Sequence, residues 1–147
     1  MDSNVVEILL VEDNRDDEEL AISTLKEFRV GNKIHVVRDG AQALDFIFCQ
    51  GDYADRKINE RPRVVLLDLK LPKVDGVEVL RQIRKDPRTA SLCVVVLTSS
   101  HEERDLVNSY SLGVNSYIVK PVDFDQFTNV IREVGHYWLI LNAPPVV

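Results

Sequence analysis

The sequence predicts an α/β protein: one doubly wound sheet of five parallel strands with helices on both faces. Three observations carry that prediction. Short aliphatic, β-branched runs alternate with helical periodicity five times along the 147 residues. The central runs, VVLL at 64–67 and VVVL at 94–97, are apolar without interruption, as strands buried on both faces should be. Four runs then stop abruptly on polar residues: EILLVEDN at Glu12 and Asp13, VVLLDL at Asp68, CVVVLTSS at Thr98 and SYIVKP at Lys120. Charged groups at the ends of buried strands cost several kcal/mol to desolvate unless they are paired or bind an ion, so these are poor core filler.

The first strand is Glu7–Val11, and Asn14 offers an N-cap for the helix that follows. Asp16, Asp17 and Glu18 then lie at the positive end of the helix dipole, while Ala21, Leu25 and Phe28 form the buried stripe. Gly31 and Asn32 close this helix before a second strand at Lys33–Val37. Asp39 caps a helix burying Ala43, Leu44, Ile47 and Phe48. From Gly51 to Pro62 the chain (GDYADRKINERP) has no usable periodicity and reads as an exposed connection, long for a compact unit. Arg63–Leu67 is the third strand; a loop at 71–74 leads to the Asp75 cap of a helix with Val79, Leu80 and Ile83 inward. Asp86-Pro87 stops that helix. Leu92–Leu97, a polar helix over His101–Leu112 ending at Gly113, Ser116–Val119 and a last helix from about Asp123 to Leu141 complete the series.

Composition narrows the function. Residues 1–147 suit one domain, with a core over about 7–141 and a short tail at 142–147. A net charge of −6 argues against direct nucleic-acid binding. No run is long enough to span a membrane, and MDSNVVEILL lacks the basic start of a signal peptide, so a cytoplasmic location is expected. Cys49 and Cys93, without CxxC spacing, read as reduced, mostly buried thiols. His35, His101 and His136 have no metal-ligand spacing, and Lys73, Arg81 and Arg84 read as a solvated helix face.

In open parallel sheets, ligands bind beyond the carboxyl ends of the strands where strand order reverses. A strand order of 2-1-3-4-5 sets the first and third strands side by side, so Asp13 and Asp68 share one cleft. Close carboxylates need a divalent cation or a raised pKa, and Mg²⁺ suits oxygen ligands of this kind. With such an ion present, Asp68 can act as a nucleophile towards phosphorus. Lys120 can then serve as a point charge for one phosphoryl oxygen and the Thr98 hydroxyl can bond another.

Together the VEDN acidic pair, LLDLKLPKVDG around Asp68, VVLTSS and YIVKP resemble the response-regulator receiver domains of two-component signalling, over about Glu7 to Leu141. The resemblance implies a flavodoxin-like (βα)5 fold and a stand-alone regulator. Asp68 would accept phosphate from a sensor histidine kinase, with Glu12, Asp13, Asp68 and the Lys70 backbone carbonyl around Mg²⁺. It also implies Thr98 and Tyr117 as a switch pair, Tyr117 turning into space that Thr98 vacates, and a cis peptide bond at Lys120-Pro121. The long polar segment after the second helix is similar to single-domain regulators paired with phytochrome-type kinases, which makes a bacteriophytochrome a candidate partner. Such a protein catalyses only its own phosphorylation and dephosphorylation.

Other readings compete. Glu12 and Asp13 alone could simply favour the start of the first helix, and Thr98, Lys120 and Tyr117 alone would be ordinary strand residues. An aspartyl-phosphate hydrolase would place a second aspartate two residues after the nucleophile, where Lys70 stands. A flavodoxin-like cofactor carrier would need a Ser/Thr/Gly-rich loop after the first strand. A scaffold receiver working without phosphorylation would lose an acidic or lysine position, and none is lost. The last helix carries Phe124, Phe127, Ile131, Val134, Trp138 and Leu141 at spacings of three and four, with Val130, Tyr137, Leu139 and Ile140 on other faces. A helix apolar on more than one face predicts a homodimer, with Phe127, Ile131, Val134, Tyr137 and Trp138 as contact candidates.

Overall fold

The computed structural model describes residues 6–27 and 33–133. Five parallel strands, β1 (Ile8–Val11), β2 (Ile34–Val37), β3 (Val64–Asp68), β4 (Cys93–Thr98) and β5 (Ser116–Val119), pair in the order β2-β1-β3-β4-β5. The helices are α1 (Arg15–Glu27), α2 (Gly40–Ile47), α3 (Gly76–Lys85), α4 (His101–Ser109) and α5 (Phe124–Glu133). The predicted fold class and strand order are therefore those found. The third and fourth strands each begin one residue later than the sequence suggests and run on through Asp68 and Thr98.

Strand alternation sorts the core into two layers. Leu9, Val11, Val65, Leu67, Val94 and Val96 face α2, α3 and α4, where Phe46, Leu80, Ile83 and Val107 meet them. Ile8, Leu10, Val64, Leu66, Val95 and Leu97 face the other side, where Leu25 of α1 and Phe127 and Val130 of α5 close the layer. Each of these aliphatic side chains contributes about 1.5–3 kcal/mol when fully buried. The parallel register sets Val11 beside Leu67 and Thr98 beside Val119, so every strand delivers its last residue to one rim of the sheet.

Several expectations change. Phe127 and Val130 are fully buried beneath α5, so Phe127 is part of the monomer core and unavailable as a dimer contact, while Phe124 lies about half exposed. The spacing read 124 and 127 as one stripe, but Phe124 is the first residue of the helix and stays about half exposed while Phe127 is enclosed. The Ile131 side chain lies outside the described residues, as do Phe28, Gly31, Asn32, Val134, Tyr137, Trp138 and Leu141.

The segment from 51 to 62 is not a free loop. Gly51–Tyr53 forms a 3-10 turn, and Tyr53 packs edge-on against Phe46 and His35 with its hydroxyl 3.0 Å from His35 Nε2. The Arg56 guanidinium covers the Phe46 ring at 3.7 Å and donates to the carbonyls of Phe46 and Glu60. Cys49, half-buried, sits beside it. Arg84 is not a solvated face residue either. Its guanidinium donates to the carbonyls of Ala90, Leu92, Leu112 and Gly113 and to Asn115 Oδ1, joining α3 to the loops that lead into β4 and β5. Helix α4 ends at Ser109, three residues before the sequence suggests, and Gly113 turns the chain at φ +70°.

Candidate functional site

At the carboxyl rim, β1 and β3 bring two acidic segments together. Glu12 directly follows β1 and is 1% exposed; Asp68 is the last residue of β3 and is also 1% exposed. Their carboxylates and that of the exposed Asp13 each present an oxygen within 4.8 Å of the others. Neither buried acid is there for packing, since each could be an aliphatic residue at lower desolvation cost.

The local sequence fixes both side chains. One Glu12 oxygen, Oε2, accepts from the Asn14 N–H at 3.2 Å, and Asn14 Oδ1 caps α1 by accepting from Asp17 N at 2.9 Å. Behind Asp68 the loop to α3 is compact. Asp68 Oδ1 accepts from the Lys70 N–H at 3.3 Å, and Gly76 donates its N–H to the Leu69 carbonyl at 2.8 Å. Gly76 is required by this approach: a Cβ there would stand 2.3 Å from the Asp68 carbonyl oxygen and 2.6 Å from Leu69 Cα. Asp75 caps α3 by accepting from Glu78 N, so the loop between Asp68 and the helix is held at both ends.

Lys120 enters from the end of β5, and the Lys120-Pro121 peptide bond is cis. Its ammonium lies 3.1 Å from Asp68 Oδ2, 3.4 Å from Glu12 Oε1 and 3.1 Å from Asp17 Oδ2. Its backbone N–H donates to the Thr98 carbonyl at 2.7 Å, which ties the end of β5 to β4. Burial alone would pull the Lys120 ammonium down, but the charges of Asp68 and Glu12, with hydrogen bonds to Asp68 and Asp17, outweigh it and hold the group above its ordinary value. Glu12 moves the other way for an acid. Burial, then its hydrogen bond with Asp68 and the Asp68 charge, push it up to about 8 against the pull of Lys120 and Asn14.

Thr98 is fully buried, and its hydroxyl donates to the Ile118 carbonyl at 3.5 Å, across to β5. Tyr117, half-buried on β5, donates its hydroxyl to Asn108 Oδ1 of α4 and lies 5.0 Å beneath the Arg104 guanidinium. At the mouth of the cleft, Lys70 Nζ meets Glu103 Oε2 at 3.1 Å, while Glu103 Oε1 accepts from the Ser99 N–H at 3.0 Å.

The structure thus gathers Glu12, Asp13, Asp68 and Lys120 at one point, with Lys70 and Thr98 on adjoining backbone. Tyr117 stands apart, one strand residue from Thr98's partner Ile118 and turned towards α4. Two contributors escaped the sequence reading. Asp17 was assigned only to the helix dipole, although helical position 3 places it within reach of β5. Glu103 was given no role, although Ser100 three residues earlier signals a cap there.

The arrangement fits a hard divalent cation. Three carboxylates converge without enough positive charge to balance them, all offered atoms are oxygens, and Glu12 is already pushed towards its protonated form by burial and then by Asp68. Glu12, Asp13 and Asp68 are the residues that would hold it.

Comparison with known proteins adds to the geometry. The family described as response regulator receiver domain matches residues 8–132. Among solved structures, the bacteriophytochrome response regulator RtBRR is 52% identical with a TM-score of 0.87, covering 96% of this chain and 84% of its own. The Mn²⁺-bound form of Rcp1, a response regulator of Synechocystis, is 37% identical (TM-score 0.73), covering 97% of this chain and 99% of its own. The phosphorylated cyanobacterial phytochrome response regulator RcpA is 40% identical, also with a TM-score of 0.73, covering 91% of this chain and 94% of its own.

Proposed function

The chain belongs to the response-regulator receiver family, and we propose that it is a phosphorylation-operated switch whose acceptor is Asp68. The observation that supports this most is the buried Asp68 carboxylate held between an acidic pair and the Lys120 ammonium at the rim of the sheet. The donor is a histidine kinase phosphohistidine. An Asp68 oxygen forms the new O–P bond as the P–N bond breaks, and the departing imidazole keeps that electron pair and takes a proton.

A divalent ion, Mg²⁺ in this reading, neutralises charge on the incoming phosphoryl group when bound. Asp13 and Glu12 would hold it with Asp68, and the Lys70 carbonyl would be a further ligand. Lys120 exchanges its bond to Asp68 Oδ2 for a phosphoryl oxygen. Thr98 gives up the Ile118 carbonyl and donates to a second phosphoryl oxygen, and Tyr117 leaves Asn108 for the space so opened. That exchange carries the signal to the α4 and β5 surface and so to protein contacts or a phosphorelay, within the cytoplasm.

RtBRR is a bacteriophytochrome response regulator and RcpA a cyanobacterial phytochrome response regulator, which makes a bacteriophytochrome the first kinase to test. Homodimerisation through the last helix is part of the reading, with Ile131, Val134, Tyr137 and Trp138 as contacts. A monomer by light scattering at tens of micromolar, with and without beryllofluoride, would remove it. The reading as a whole is tested with acetyl phosphate and Mg²⁺: the protein takes up one phosphoryl group, and Asp68→Asn takes up none. Equal labelling of Asp68→Asn would overturn the assignment.

A further inference from the structure

Lys120 has three N–H bonds and three carboxylate partners, and one of these does not belong to the acidic trio. Asp17 Oδ2 stands 3.1 Å from the ammonium, as close as Asp68 Oδ2 and closer than Glu12 Oε1 at 3.4 Å. Its carboxylate is about a quarter exposed, whereas Glu12 and Asp68 are enclosed.

A structural explanation for Asp17 is at hand and does not account for it. Asn14 is the N-cap of α1, and Asp17 is the third helical residue, where an acid can fold back onto the N–H of the cap. Here the Asn14 N–H is taken by Glu12 Oε2 instead. The Asp17 carboxylate is released from capping and spans from α1 to the end of β5. The helix dipole would be served equally by Asp16 and Glu18 in the same turn.

We infer that Asp17 is a positioning residue that draws the Lys120 ammonium towards α1, away from full engagement with the acceptor and the metal-holding acids. The inference rests on the reading of Asp68 as phospho-acceptor. A cation held by Glu12, Asp13 and Asp68 competes with Lys120 for two of its three partners. Asp17 is the partner left over, and it lets the ammonium remain in the cleft without standing on those ligands. Without it, all hydrogen bonds of Lys120 within the cleft fall on Glu12 and Asp68, and the cation must displace them.

The test is a double-mutant cycle read as Mg²⁺ affinity by calorimetry on the full chain: parent, Asp17→Asn, Lys120→Gln and the double variant. Loss of one nearby carboxylate acting only through solvent weakens cation binding about twofold. Asp17→Asn is expected to weaken Mg²⁺ binding about fivefold or more when Lys120 is present, and only about twofold in Lys120→Gln. Asp17→Glu should recover most of the parent affinity. Equal weakening in both backgrounds, or none with Lys120 present, would overturn the inference. If Asp17→Asn is not folded by circular dichroism, Asp17→Ser takes its place in the same cycle. Acetyl phosphate labelling separates the two levels: an unlabelled parent removes the acceptor reading, whereas a labelled parent with equal Mg²⁺ losses removes only the role of Asp17.

Discussion

Lys120 became legible only in company with the other strand-end motifs, whereas Asp68 was legible alone because it breaks an apolar strand with a charge that packing does not need. Asp17 was not, because its partner is over a hundred residues away and its own neighbourhood offers a sufficient helical reason for an acid. Lys120→Ala should remain folded yet lose stabilisation of the phosphorylated state, and its metal-free form should be about 1–3 kcal/mol less stable than the parent, since it leaves close carboxylates unpaired. Part of that loss should return on adding Mg²⁺ in a thermal melt; unchanged melting in both conditions would contradict the pairing. His35 gives a pH signature. Burial, and then the Arg56 charge, hold its imidazolium below the ordinary histidine range. The unfolded chain therefore binds the proton more readily, so this contribution is present above about pH 6.5 and is lost as the pH falls through and below it. His35→Gln should lose less melting temperature than the parent between pH 7 and 5, and identical slopes would count against it.

At the scale of elements, caps and strand runs were readable because they depend on neighbours in the chain: Asn14, Asp39 and Asp75 all accept from helix N–H groups. What escaped depends on distant backbone. Arg84 was indistinguishable in sequence from Arg81, one turn away on the same helix, yet Arg84 serves four carbonyls from two loops while Arg81 pairs with Glu78 in solvent. Arg84→Ala should therefore cost about 2–4 kcal/mol in chemical denaturation and Arg81→Ala under about 0.5. Comparable losses would refute the distinction. Gly76→Ala should cost about 1–3 kcal/mol and slow phosphorylation as well, because the new Cβ presses on the Asp68 carbonyl. A variant that is destabilised but phosphorylated at the parent rate would show that the loop absorbs the strain without moving Asp68.

For the molecule as a whole, parallel register explains why residues scattered over 12–120 become one site: every strand ends on the same rim, and the order β2-β1-β3-β4-β5 places the acids of β1 and β3 next to each other. Alternation of apolar runs and helices was enough to read that architecture from the chain, whereas the outer contacts of α5 were not, since Phe124 and Phe127 share a spacing pattern but only Phe127 is enclosed. The central claim is that this rim is a phospho-acceptor whose nucleophile is Asp68. It is tested most directly by phosphorylating the protein with Mg²⁺ and acetyl phosphate, reducing it with borotritide and mapping the labelled peptide. An acyl phosphate on Asp68 is reduced to homoserine, so the label should appear at position 68 alone. Label at Glu12, Asp13 or Asp17 with none at 68, or no label in a protein shown to bind Mg²⁺, would contradict it.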